Sequence, residues 1–130
     1  MPWLLDTNIL IHASESHPRV LQGIVRRDGA VVTSALCFAE LKRGSRRNPT
    51  LAASAQVRIE LLLERIPIVP FDAKAADCYG KIIAVCGWSR ARDFDRMIAG
   101  HAQAIGAMLV TDNLADFRDI PGLVLENWTT

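Results

Sequence analysis

Trp3-Leu4-Leu5-Asp6-Thr7-Asn8-Ile9-Leu10-Ile11 decides the reading of this chain. A short apolar run ends abruptly on a carboxylate, and a second apolar group follows after two more polar residues. Unalternating apolar runs of this length suit a strand of a parallel sheet covered on both faces. Four further runs share the character: Ala30–Thr33 after Asp28-Gly29, Ile66–Val69 between and beside prolines, Ala107–Val110 after Gly106, and Leu123–Leu125 after Pro121-Gly122. Helical stretches fall between them, at 18–26, 34–43 with Ser34 as N-cap and Gly44 as stop, 51–64, 73–85 and 93–106. The alternation predicts an α/β fold: three layers, α/β/α, around a mostly parallel sheet of about five strands.

The 130 residues are expected to form one domain, and half of them are apolar, enough for one core. No run approaches the roughly 18 to 20 apolar residues of a membrane span. The start lacks a basic segment and an apolar signal core, so it reads as the start of the mature chain. Three cysteines, Cys37, Cys78 and Cys86, have no metal or redox spacing and fit free thiols in a reducing cytoplasm. Net charge is +1, so overall charge does not announce a nucleic-acid binder. Local clusters matter more: Lys42, Arg43, Arg46 and Arg47 form one, and Arg90, Arg92 and Arg96 another.

In open parallel sheets, chemistry sits beyond the carboxyl ends of the strands. Asp6 follows the first strand directly. It either caps the short helix that follows or is a partly buried acid that needs a cation or several donors. Glu40 lies six residues into the helix after the second strand, on a face shared with Leu36 and Cys37; an i,i+3 pair with Arg43 is the plainer alternative. Asp95 heads the stripe Asp95, Ile98, Ala99, Ala102, which faces the sheet, while Asp93 can serve as the helix cap. Thr111-Asp112-Asn113, with Asp116 beyond, follows the fourth strand and could equally be a turn. Together these acids gather at one sheet edge. Converging carboxylates raise each other's pKa and call for a cation. An oxygen-only set suits Mg²⁺ or Mn²⁺, which activates water against a phosphodiester without a Ser, Cys or His nucleophile.

With these residues in hand, the chain resembles the PIN-domain nucleases. Leu5-Asp6-Thr7-Asn8-Ile9-Leu10, Phe38-Ala39-Glu40-Leu41, Asp95 to Ala102, and Leu109-Val110-Thr111-Asp112-Asn113 with Asp116-Phe117 are similar to the family's four motifs, in order. The compact size resembles the VapC-type toxins of toxin–antitoxin pairs. The resemblance implies a Mg²⁺- or Mn²⁺-dependent endoribonuclease acting on structured RNA, such as tRNA or ribosomal RNA. It also implies a homodimer, a cognate antitoxin that covers the active site, and operator DNA bound only through that antitoxin. Carried over by position, Asp6, Glu40 and Asp95 match the metal-binding acids. The fourth place is held by Asn113, with Asp116 as a substitute and Asp112 as a residue that points elsewhere. Thr7, Asn8 and Thr111 match polar positions that support the metal ligands. His101 is read as structural, and His12 and His17 have no partners at metal spacing.

Three alternatives were weighed. A haloacid-dehalogenase-like phosphatase needs Asp-x-Asp after the first strand, and position 8 is Asn. A response-regulator receiver needs a Lys after the fifth strand, where Glu126-Asn127 stands. A non-catalytic PIN-like module that binds RNA or a partner protein is kept open by the irregular fourth position. The segment from Lys42 to Arg47 is expected to hold RNA backbone beside the acids. Leu61, Leu62 and Leu63 are expected in the core or a dimer contact, Cys78 and Cys86 in the core, and Trp88 in a loop.

Overall fold

The structure, a computed structural model, describes residues 1–45 and 49–130. Five strands, β1 (Trp3–Leu5), β2 (Val31–Ser34), β3 (Ile68–Val69), β4 (Met108–Val110) and β5 (Leu125–Glu126), form one parallel sheet in the order β3-β2-β1-β4-β5. Six helices connect and cover them: α1 (Thr7–Ser14), α2 (Pro18–Arg26), α3 (Ala35–Ser45), α4 (Pro49–Leu63), α5 (Ala73–Cys86) and α6 (Asp93–Ala104). Adjacent strand residues point to opposite faces, and Leu4 and Leu5 are both fully buried, as are Leu109 and Val110. Both faces of the central pair are therefore covered, as the unbroken apolar runs require.

The chain leaves β1 toward β2 and β3, then crosses back to place β4 on the other side of β1. The strand order reverses at β1, and that is where an open sheet leaves a crevice. Leu5 pairs with Val110, and the Asp6 amide donates to the Val110 carbonyl at 2.9 Å. Asp6 and Thr111 thus leave the sheet side by side. Thr33 Oγ1 donates to the Leu5 carbonyl at 2.9 Å, tying β2 to the same edge.

Several expected boundaries shift for physical reasons. β3 keeps only Ile68 and Val69 of the expected 66–69, although the Pro67 carbonyl still accepts from Thr33 N at 3.0 Å. Proline can accept but not donate, and two prolines bracket the pair. β5 lies at Leu125–Glu126, later than the expected 123–125. Gly44 does not stop α3, which runs on to Ser45; Gly44 is absent from the left-handed glycines that end helices this way. Ser34 caps from inside β2, its Oγ accepting from Leu36 N at 3.0 Å. Asp93 is the first residue of α6 and not its cap; its carboxylate accepts from the Tyr79 hydroxyl.

Helices α5 and α6 pack closely because Gly100 lets them. A Cβ there would stand 2.6 Å from the Tyr79 amide nitrogen. Leu62 packs on the core while Leu61 is exposed. Ile82 is buried, but Cys78 and Cys86 are only half-buried, so the expected core cysteines sit at its margin. No helix among the described residues is long and apolar enough to cross a membrane.

Candidate active site

Asp6 ends β1 in an extended conformation and caps α1. Its Oδ1 accepts from Thr7 N–H at 2.8 Å and its Oδ2 accepts from Thr111 Oγ1 at 2.9 Å. The two readings of this residue were not exclusive: it caps the helix and presents a carboxylate at the strand end. Only 7 % of Asp6 is exposed. Burial outweighs the two hydrogen bonds, and the charges of Glu40 and Asp112 add to it, so its pKa is raised from 3.8 to about 6.

Asp95 lies in the first turn of α6, at the head of a stripe whose Ile98, Ala99 and Ala102 are fully buried. Its pKa is also raised to about 6, by burial first, then by the charges of Asp6, Asp116 and Glu40, with Arg92 opposing. Asp6 therefore feels Glu40 and Asp112, and Asp95 feels Asp6, Asp116 and Glu40, across three elements and the loop after β4. Glu40 on α3 is part of this field and also stands 3.6 Å from Arg43, so its surface pair and its place in the cluster coexist.

The fourth position resolves into distinct partners. Asp112 turns toward α1: its Oδ2 lies 2.8 Å from His12 Nε2, and its Oδ1 accepts from Asn8 Nδ2 at 3.3 Å. Asn113 takes its amide to Thr111 Oγ1 at 3.1 Å and its side-chain Nδ2 to Asp116 Oδ2. Asp116 ends a single 3₁₀ turn (Leu114–Asp116). Arg92 brackets it, with Nη1 donating to its carbonyl at 3.3 Å and Nη2 lying 3.8 Å from Oδ1.

His12 has no partner at metal spacing in the sequence, yet it meets Asp112, and of the basic group Arg90, Arg92 and Arg96 two members are committed to acids. Arg96 is buried and forms a two-pronged pair with Asp119, both N–O distances 2.8 Å, so it braces the loop and holds no phosphate. These pairings join residues 23 to 100 positions apart and have no local spacing to betray them. His101 is buried with Nδ1 2.7 Å from Ser34 Oγ, and burial lowers its pKa, which suits a structural residue. Of the expected RNA-binding segment, Lys42 lies over the Phe38 ring at 5.1 Å and Arg43 faces Glu40. Arg46 and Arg47 lie outside the described residues.

Does this donor set fit a metal? The acids of the cluster offer oxygen, which selects hard cations, while Arg92, Arg43 and Asn113 stand beside them as donors. Burial first, and then the neighbouring acids, raise the pKa values of Asp6 and Asp95, and a divalent ion at these carboxylates would offset both effects. Among the described residues no group of three or more His, Cys, Asp or Glu side chains is arranged to hold a metal ion by itself. Mg²⁺ does not need one, since it keeps several waters and is held through one or two carboxylates. The residues fit.

The same architecture is found in known proteins. Residues 3–123 match the PIN domain family. A ribonuclease VapC2 of Rickettsia felis is 32% identical over 134 residues, covering 98% of both chains. A tRNA(fMet)-specific endonuclease VapC of Shigella flexneri is 32% identical over 132 residues, covering 99% of both. The crystal structure of VapBC2 from Rickettsia felis, bound to a DNA fragment from its promoter, contains a chain that superposes with a TM-score of 0.85 at 31% identity, covering 98% of this chain and 99% of that one. The chain belongs to the PIN domain family and, within it, to the VapC-type ribonucleases.

Proposed function

We propose that this chain is a Mg²⁺- or Mn²⁺-dependent endoribonuclease, the toxin of a toxin–antitoxin pair, with structured RNA as substrate. The observation that carries the reading is the electrostatic coupling of Asp6 with Asp95 and Glu40, with Asp116 acting on Asp95, at the strand-order reversal. Asp6, Glu40 and Asp95 would hold the metal, with Asp116 as the fourth acid and Asn113 orienting it. A bound divalent ion would lower the pKa of the attacking water and offset charge on the phosphodiester. Thr7 N–H and Thr111 Oγ1 each donate to one oxygen of Asp6 and so fix the orientation of its carboxylate. Asn8 supports the site indirectly, by holding Asp112.

Structured RNA is supported by the Shigella flexneri relative, whose name specifies tRNA(fMet). A partner antitoxin is supported by the Rickettsia felis assembly, seen on promoter DNA. We assign contact with operator DNA to the antitoxin. Exposed Ile11 on α1 and Val57 and Leu61 on α4, two helices in mutual contact, offer apolar surface for an antitoxin or a second copy in a homodimer.

A second reading, a PIN-like module that binds RNA without cutting it, is favoured by Asn113 at the fourth position and by the open spacing of the acids. One assay separates the two. The purified chain, free of any partner, is incubated with total RNA in Mg²⁺, Mn²⁺ or EDTA, beside Asp6→Asn. Discrete cleavage of one RNA class, abolished by EDTA and by the substitution, is expected. RNA binding without cleavage in either metal, unchanged by Asp6→Asn, would establish the binding module instead.

A further inference from the structure

A pocket of about 400 Å³ lies apart from the acid cluster and shares no residue with it. Arg19, Gln22, Arg26 and Arg27 line one side, and Asn127 and Trp128 the other. Arg19, Gln22, Gly23 and Arg26 recur at i, i+3, i+4 and i+7, so α2 presents them as one stripe. Gly23 makes the floor: a Cβ there would stand 2.6 Å from Trp128 Cε3. Arg27 is set between two indoles, its guanidinium carbon 5.0 Å from the Trp3 ring and 4.5 Å from the Trp128 ring. Both indole N–H groups donate to Glu126 Oε1, at 2.9 and 3.1 Å, which fixes the aromatic wall.

The polar lining side chains can all donate hydrogen bonds, and none is acidic. Thr130 reaches the rim, yet among the described residues neither Arg19 nor Arg26 makes an ion pair. Two exposed, unneutralised guanidiniums beside a rigid, donor-lined hollow make a receptor for oxyanions. Arg19 and Arg26 are two turns apart, about 10 Å of helix rise, which suits a run of phosphates better than a single one.

We infer that this pocket is a second phosphate-binding site, which holds the backbone of the RNA away from the point of cleavage. The inference rests on the ribonuclease reading for the identity of its ligand. It explains how a chain of net charge +1 grips a polyanion: the positive charge that matters is on one face of α2.

The test measures binding of a labelled RNA hairpin in EDTA, where nothing is cut, as a function of salt. Arg19→Gln/Arg26→Gln is compared with the wild type and with Arg65→Gln, an exposed arginine elsewhere. Each lost phosphate contact lowers the slope of log affinity against log salt by about 0.7 to 0.9, so the double variant should lose about 1.5 and bind about thirtyfold more weakly near 0.1 M salt. Arg65→Gln should leave the slope in place. An unchanged slope in the double variant overturns the inference, as does an equal loss in Arg65→Gln. Inorganic phosphate is titrated alone, with tryptophan fluorescence as readout. Saturation abolished by the double substitution, with RNA binding untouched, would assign the pocket to a free anion and overturn the RNA backbone. A slope change in the double variant, together with a wild-type chain that cuts no RNA in Mg²⁺ or Mn²⁺, keeps the pocket and removes the nuclease reading.

Discussion

Asp6 shows how one residue serves fold and chemistry together. Its carboxylate caps α1 and takes the Thr111 hydroxyl, yet burial still raises its pKa to about 6. Thr111→Val removes the one side-chain donor and should push that pKa further up, with a drop in cleavage rate of about ten- to a hundredfold and little change in fold. A pH titration of the Asp6 carboxyl by NMR, beside the rate, checks this. The sign for stability follows. A raised carboxyl pKa means that between about pH 4 and 6 the folded state holds a proton the unfolded state has released, so stability falls as pH rises through that window. In EDTA, Asp6 alone should remove on the order of 2 to 3 kcal/mol between pH 4 and 7. Asp6→Asn should flatten that part of the urea-midpoint profile; an identical profile would refute the burial argument. Asp6 and Asp95 were legible because a strand end and a helical stripe place them. The His12–Asp112 and Arg92–Asp116 pairs were not, because their partners come from different elements.

At the scale of elements, two glycines decide close approaches. At Gly100, α6 lies against the Tyr79 backbone, which cannot yield. Gly100→Ala should cost about 1 to 3 kcal/mol in chemical denaturation, and a stability within a few tenths of wild type would contradict the packing described. At Gly23 the obstruction is the Trp128 ring, which can move, so Gly23→Ala should loosen the tail beyond β5 before it destabilises the core. Faster hydrogen exchange at Asn127–Thr129, where Asn127 Oδ1 accepts from Thr129 N and Oγ1, is the readout. The number and order of strands and helices was readable from apolar runs and their separations. The ends were less so, because capping depends on backbone conformation. Gly44 reads as a stop only if it turns left-handed, and Ser34 caps while still paired in β2.

At the scale of the molecule, the strand order places acids from β1, α3, α6 and the loop after β4 at one reversal point. Their surplus charge should make the folded chain bind divalent ions that the unfolded chain does not. Saturation at a hundred times the dissociation constant then adds about 2.7 kcal/mol of stability. The sharpest test of this central claim is a calorimetric titration of the metal-free chain with Mn²⁺, beside Asp6→Asn, Asp95→Asn and Asp116→Asn. The account predicts saturable binding in the wild type, abolished by the first two substitutions and weakened by the third. Binding of equal affinity in all four proteins, or none in the wild type with the fold intact, would contradict it.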